Sequence, residues 1–369
     1  MLAAPLGLSY YSFKLIGYLL DVYWEKMPAQ RHFLSVALYA SFFPQIVSGP
    51  IQRADDFFGQ LAHLQRPDPA GFVVGLRRIL FGLFKKIVVA DQLAVAVAHV
   101  HAHTMEHSSL ELLIGAYGFS LQMYADFSGL TDIAIGIGLL FGIRGPENFN
   151  RPYFSGNLQE FWRRWHMSLT SWLTDYLFVP LRMSFRRLGD LGLALAIFVN
   201  MVAIGVWHGP KWTYLVFGCI NGVFMIVSAL TLKPRNGFFR SRPLLSRWRK
   251  LAGPLLTFHL VVFTHVFFQA SDLRSALDYL GQLSHLSPHS AAGALRVDWG
   301  GFGVTPLRLG AALAGLAVME WINWASTRPA WLNRVTLGRR EVRWALYYAA
   351  ALLVILMAKG TTSFIYAKF

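Results

Sequence analysis

Cysteine is nearly absent from these 369 residues: a single one, Cys219, excludes an internal disulfide framework and a cysteine-rich metal site. It stands in an apolar run and reads as a small packing residue. Charge is scarce as well, at 14% of residues, and acids scarcer, with 19 Asp and Glu against 34 Lys and Arg. The resulting net charge of +15 would suit a nucleic-acid binder. No basic helix or aromatic-basic sheet stands apart from apolar sequence, however, so no nucleic-acid partner is expected. No repeat of solenoid length is evident. Met1 is followed by LAAPLGLSYY with no basic stretch before the apolar residues, so no signal peptide is expected.

What the chain has is apolar surface. Hydrophobic residues make up 55% of it and the mean hydropathy is +0.42, more than a soluble domain can bury. Several apolar runs approach the ~20 residues needed to cross a bilayer. In hydrocarbon only helices satisfy their own backbone groups, so the sequence predicts an all-α, polytopic membrane protein. About ten crossing or half-crossing segments are expected, at 6–24, 32–51, 72–98, 109–128, 129–143, 191–208, 212–232, 251–270, 303–325 and 342–358. Nothing between them is long enough for a soluble domain, and residues 1–369 read as one membrane domain. Ser41 to Pro50, SFFPQIVSGP, predicts a kinked or half-spanning helix, and FWRRWH within 157–181 is too charged for a lipid-facing span, which predicts a shielded re-entrant segment.

Basic loops orient the chain. Lys233, Arg235, Arg240, Arg242, Arg247, Arg249 and Lys250 lie together without an acid, and Arg328, Arg334, Arg339, Arg340 and Arg343 crowd the last long connection. The positive-inside rule places both on the cytoplasmic side. The loop near 271–301, with Asp272, Asp278 and Asp298 against Arg274 and Arg296, then lies outside. Counting back, the span 191–208 runs outward and carries His208 toward the outer half of the membrane.

Few residues carry chemistry. His208 ends an apolar helix, where an ionisable group is costly enough to mark a site, and a neutral imidazole can take a proton from a hydroxyl. The alternative is an interfacial histidine bonded to a neighbouring helix. His166 follows Arg163 and Arg164; on a helix His166 and Arg163 share a face. Those arginines can hold a phosphate or carboxylate beside the imidazole, or meet lipid headgroups while the tryptophans, Trp165 among them, form an interfacial belt. Asp126 and Asp132 should face a cavity or pair with a base, for which Arg144 and Arg151 are candidates. Trp207 and Asn200, on the helix that ends at His208, are further candidates for a substrate path. His99, His103 and His107 have helical spacing, but Glu106 is the one carboxylate nearby and no metal site is expected. Gly136, Gly138 and Gly142 lack dinucleotide-binding spacing and read as close helix packing.

The stretch YADFSGLTDIAIGIGLLFGIRGPENFNRPYFSGNLQEFWRRWHMSLTSWLTDYLFVPL, followed by VWHGPKWTYLVFGCINGV, resembles the membrane-bound O-acyltransferase family. Within that family it is similar to the alginate O-acetyltransferase branch and the related D-alanyl transfer proteins of Gram-positive walls. The likeness runs from PLGLSYYSFKLIGYLLDVY to SFIYAKF and is most specific between Tyr117 and Gly222. It implies helices around a central tunnel, the active-site histidine at His208 and a second histidine at His166. It further implies a cytoplasmic thioester donor, acetyl-CoA or an acyl carrier protein, as substrate, with no bound cofactor. A polysaccharide acceptor, a periplasmic acetyltransferase partner of the SGNH-hydrolase type and the bacterial inner membrane complete the expectation. A transporter reading predicts paired broken helices, and none is found. A non-catalytic place in a polysaccharide secretion complex is the other alternative. Two departures stand out. Family members usually carry further spans before PLGLS, which this sequence is expected to lack, and Gln269 in VFFQA stands where many relatives have arginine.

Overall fold

The computed structural model describes residues 7–64, 69–284, 297–327 and 340–358. Among these residues every regular element is a helix, and no strand forms. In chain order the α-helices are α1 (Leu8–Tyr23), α2 (Phe33–Ser41), α3 (Phe43–Ile46), α4 (Ala54–Ala62), α5 (Pro69–Phe84), α6 (Asp91–Ala102) and α7 (Ser109–Leu140). There follow α8 (Leu158–Trp162), α9 (Met167–Leu173), α10 (Val179–Ser184), α11 (Gly189–Trp207), α12 (Trp212–Leu230), α13 (Leu232–Arg240) and α14 (Pro243–Gln269). The last are α15 (Leu273–Ser284), α16 (Pro306–Ser326) and α17 (Arg340–Met357). Arg296, Arg328, Arg334, Arg339 and the terminal SFIYAKF lie outside the described residues.

Among the described residues four helical stretches are long and apolar enough to cross a bilayer: Ser109–Leu140, Arg186–Trp207, Trp212–Leu230 and Pro243–Gln269. Of the other expected spans, the first three are short or interrupted, while 303–325 and 342–358 form the unbroken helices α16 and α17 without the apolarity of these four. SFFPQIVSGP breaks as expected, with α2 and α3 meeting at Phe42, and 72–98 is divided by a π-helical segment, Lys85–Ala90.

The two spans expected at 109–128 and 129–143 are one helix of 32 residues, α7. Its ends are set locally. Ser108 and Glu111 form a capping box, with Glu111 Oε2 accepting from the Ser108 N–H at 2.8 Å. At the other end Gly142 takes φ 77°, and the Ile143 N–H closes on Gly138 O at 2.9 Å. The Gly129 that looks like a break in the sequence is a packing site. A Cβ on Gly82 of α5 would sit 2.5 Å from Gly129 O, and one on Gly136 2.7 Å from Gly75 O. Two glycine pairs therefore let α5 and α7 touch backbone to backbone, the small-residue packing that close helices in lipid need. At about 1.5 Å per residue α7 is about 48 Å long, longer than the hydrocarbon core it crosses.

The outer-loop expectation can be followed to one end of α7. Asp298 N–H donates to Glu111 Oε1 at 2.7 Å and Ser109 Oγ to Gln282 O at 3.3 Å, which holds Asp298 and the end of α15 at that end. Near the middle of α7, Asn323, close to the C-terminus of α16, donates to Tyr124 Oη at 3.2 Å.

Candidate functional site

The segment 157–181 is not a continuous helix, so the face shared by His166 and Arg163 does not form. Asn157 caps α8, its Oδ1 accepting from Glu160 N–H at 3.0 Å, and the helix stops after Trp162. His166 then adopts φ 44°, a left-handed conformation rare for a residue with a Cβ, and α9 starts at Met167. Asn148 holds this turn. Its backbone carbonyl accepts from Met167 N–H at 2.9 Å, while its Oδ1 lies 3.1 Å from Ser168 N, 2.9 Å from Ser168 Oγ and 3.1 Å from His166 Nδ1. Ser168 Oγ in turn accepts from Ile51 N–H at 3.0 Å. Asn148 is fully buried. A strained backbone at a histidine persists because these bonds over-determine it.

His208 arrives from another direction. It caps the C-terminus of α11, its N–H bonded to Gly205 O at 3.1 Å, and Gly209 at φ 136° turns the chain into α12. A Cβ on Gly205 would meet Tyr214 O at 2.2 Å, so α11 and α12 pack tightly beneath this turn. The His208 ring lies edge-on to Phe268 of α14, with centroids 4.8 Å apart.

These paths converge. His166 and His208, both buried, line one enclosed cavity of about 10 Å³, with Trp162, Trp165, Phe217 and Phe268 among its walls. That is space for about one water. Trp207 bridges the two histidines from the side, its ring centroid 5.8 Å from His166 and 4.8 Å from His208.

A third histidine, His265 of α14, lines the same cavity and is equally buried. Its Nδ1 lies 2.9 Å from Ser120 Oγ on α7, and its ring stacks on Phe217 at 6.4 Å. Sequence reasoning passed over it, although an ionisable residue within the apolar run LVVFTHVFF carries the same signal that singled out His208.

The remaining candidates lie elsewhere. Arg163 is exposed, and Arg164 binds Glu160 at 2.5 Å, a tie within its own turn; neither lines the cavity. Asn200, partly buried on α11, does not line it either. Asp126 and Asp132 are in ion pairs, but with different partners from those expected. Consecutive lysines of the π-helical segment reach them: Lys86 Nζ is 2.8 Å from Asp126 Oδ1, and Lys85 Nζ is 2.7 Å from Asp132 Oδ2. Arg78 Nε adds a bond to Asp132 Oδ1 at 2.8 Å and continues to Glu147. Arg151 pairs instead with Glu320 at 3.4 Å, and the Arg144 backbone with Gln60.

Asp132, Arg78, Lys85, Glu147 and Arg151 line a second, larger cavity of about 550 Å³, which reaches Ser326 and Thr327 at the end of α16. Its wall is shared with the histidine chamber. Met123 lines the small cavity and Tyr124 the large one, and His166 and Met167 divide in the same way. Among the described residues no group of three histidine, cysteine or acidic side chains could hold a metal. His99 and His103 stack at 4.5 Å, and His107 meets Glu111 at 3.2 Å.

Helices that cross a membrane around a narrow, histidine-lined chamber define a membrane-embedded protein with a buried polar site. Residues 26–251 match the MBOAT family, described as the membrane-bound O-acyltransferase family, and the chain belongs to that family. It is 35% identical over 333 residues to the probable alginate O-acetylase AlgI of Pseudomonas fluorescens, covering 88% of this chain and 63% of that one. It is 32% identical over 335 residues to the peptidoglycan O-acetyltransferase of Helicobacter pylori, covering 80% and 61%. It is 30% identical over 275 residues to the teichoic acid D-alanyltransferase of Bacillus subtilis, covering 71% and 68%. The chain thus spans less than two thirds of the length of the alginate and peptidoglycan relatives.

Proposed function

We propose that this protein is an O-acyltransferase, transferring an acetyl group from a cytoplasmic thioester, acetyl-CoA or an acyl carrier protein, to a hydroxyl of an extracytoplasmic polysaccharide. The observation that carries the proposal is the convergence of His166 and His208 on one enclosed cavity that shares a wall with a larger polar cavity. The larger cavity reaches the end of α16 that precedes the basic connection, the cytoplasmic end by the charge rule. It is the donor's route, and the histidine chamber is the place of transfer.

In the transfer, His208 takes the proton of the acceptor hydroxyl as its oxygen attacks the thioester carbonyl. The C–O bond forms, the C–S bond breaks, and the leaving thiolate takes the proton back from the imidazolium. General-base help of this kind contributes about 10² to 10⁴ in rate. The aromatic walls of Trp162, Trp165, Phe217 and Phe268 restrict the entry of water, which protects the thioester from hydrolysis. His166 sits beside the base and supports it. No covalent acyl-enzyme is needed, and Cys219 does not line the chamber.

Acetyl is favoured over D-alanyl because the alginate and peptidoglycan relatives, both named for O-acetylation, are more similar to this chain than the D-alanyl one. The acceptor in this reading is an exopolysaccharide such as alginate, reached in the bacterial inner membrane with a periplasmic acetyltransferase partner. The test is ester formation by membranes containing the protein, supplied with radiolabelled acetyl-CoA and the host's own exopolysaccharide. Label in alkali-labile ester supports the reading, and label released only as free acetate contradicts it.

A further inference from the structure

Acyl transfer needs a hydrogen-bond donor as well as a base, because the thioester carbonyl oxygen gains negative charge in the transition state. The chamber's polar atoms can be sorted by what they are able to give. Asn148 Oδ1 accepts the Ser168 backbone N–H, which identifies it as the oxygen of the amide, so the His166 Nδ1 facing it must carry the proton. Ser120 Oγ donates to Ala116 O at 3.1 Å, so it accepts from His265, whose Nδ1 carries the proton as well. In the neutral state both rings then hold Nε2 as an acceptor. Neither can donate to a carbonyl oxygen without first being protonated. Thr264 Oγ1 donates to Val261 O, and the Asn221 amide donates to Phe217 O, each along its own helix.

Trp162 is different. It lines the chamber, is 5% exposed, and its Nε1–H is buried without a hydrogen-bond partner among the described residues. An indole nitrogen only donates, and leaving such a group buried and unbonded is unfavourable. The ring is held by packing: it meets Phe161 at 5.5 Å and Phe217 at 6.5 Å, and Phe217 also faces His208.

We infer that Trp162 is a catalytic residue whose Nε1–H donates a hydrogen bond to the acyl carbonyl oxygen and stabilises the charge it develops during transfer. The inference rests on the acyltransferase reading above. It gives the FWRRWH segment two functions: His166 beside the base, and Trp162 on the oxygen of the carbonyl that the hydroxyl attacks.

The test replaces Trp162 in the full chain with 3-benzothienylalanine, which keeps the size and shape of the indole and lacks the N–H, and in parallel makes Trp162→Phe. Acetyl ester formation from acetyl-CoA is measured in membranes at matched protein level, with kcat and KM for the donor separated. The expected result is a kcat lower by about 10² to 10³ with KM unchanged, in both variants. A benzothienylalanine protein with kcat within about twofold of the parent overturns the inference, since a residue that merely packs would tolerate the sulfur. Trp162→Phe alone losing activity would likewise assign Trp162 to packing. His208→Ala in the same assay separates this from the reading beneath it: if His208→Ala transfers acetyl normally, the chamber itself is not the reaction site.

Discussion

His166 Nδ1 lies 3.1 Å from Asn148 Oδ1, across a turn in which the histidine has φ 44°. The bond joins the loop after α7 to the start of α9 and fixes both the direction and the tautomer of a ring in the histidine-lined chamber. One amide oxygen also receives two bonds from Ser168, so the turn depends on a single side chain.

Removing that side chain should therefore be worse than removing either bond alone. Asn148→Ala is expected to cost about 1–3 kcal/mol of stability, the usual cost of leaving buried partners unmet, and to lower acyl transfer by about tenfold or more. Ser168→Ala leaves the histidine bond in place and is expected to lose less activity. Thermal unfolding in detergent, alongside transfer rates at matched membrane level, checks the order. Equal loss in the two variants would mean that the histidine bond is dispensable.

The lysines of the π-helical segment predict a second outcome. Lys86 Nζ lies 2.8 Å from both Asp91 and Asp126, and all three are buried. Taking away one partner of a buried ionic group typically costs about 3–5 kcal/mol. Lys86→Met, similar in length but without charge, is expected to lower the unfolding temperature sharply and reduce membrane abundance. A variant that accumulates and melts like the parent would contradict the pairing.

Backbone contact between α5 and α7 gives a third. Gly82→Leu forces a side chain into a gap where even a Cβ would sit 2.5 Å from Gly129 O. Overpacking of this kind costs about 1–3 kcal/mol or more. Gly59→Ala is the comparison, since a Cβ there meets nothing within 4 Å. Equal stability of the two variants would mean that the helices do not touch at Gly82.

Much of this was legible in the sequence, for reasons that differ by residue. The helical class followed from the length of the apolar runs, and the resemblance to the family's motifs singled out His166 and His208, which the fold brings to one chamber. The continuity of α7 did not, because glycines that permit close approach look the same in sequence as glycines that end a helix; only the opposing Gly75 and Gly82 tell them apart. The partners of Asp126 and Asp132 were misplaced because the lysines and Arg78 lie 40 to 54 residues away along the chain, while the nearby arginines were the visible choice. His265 went unnoticed because it looks like part of an apolar segment, and Trp162 because it read as one of several belt tryptophans; in both, the polar atom matters only where the fold closes around it.

The central claim is that the chamber holding His208 is where acyl transfer takes place. The most direct measurement is polymer-bound O-acetyl in a deletion strain complemented with the parent protein or His208→Ala, with membrane levels of both determined. The account predicts that the parent restores the ester and that His208→Ala, at equal abundance, loses about 10² to 10⁴ of the rate. Full restoration by His208→Ala would contradict it.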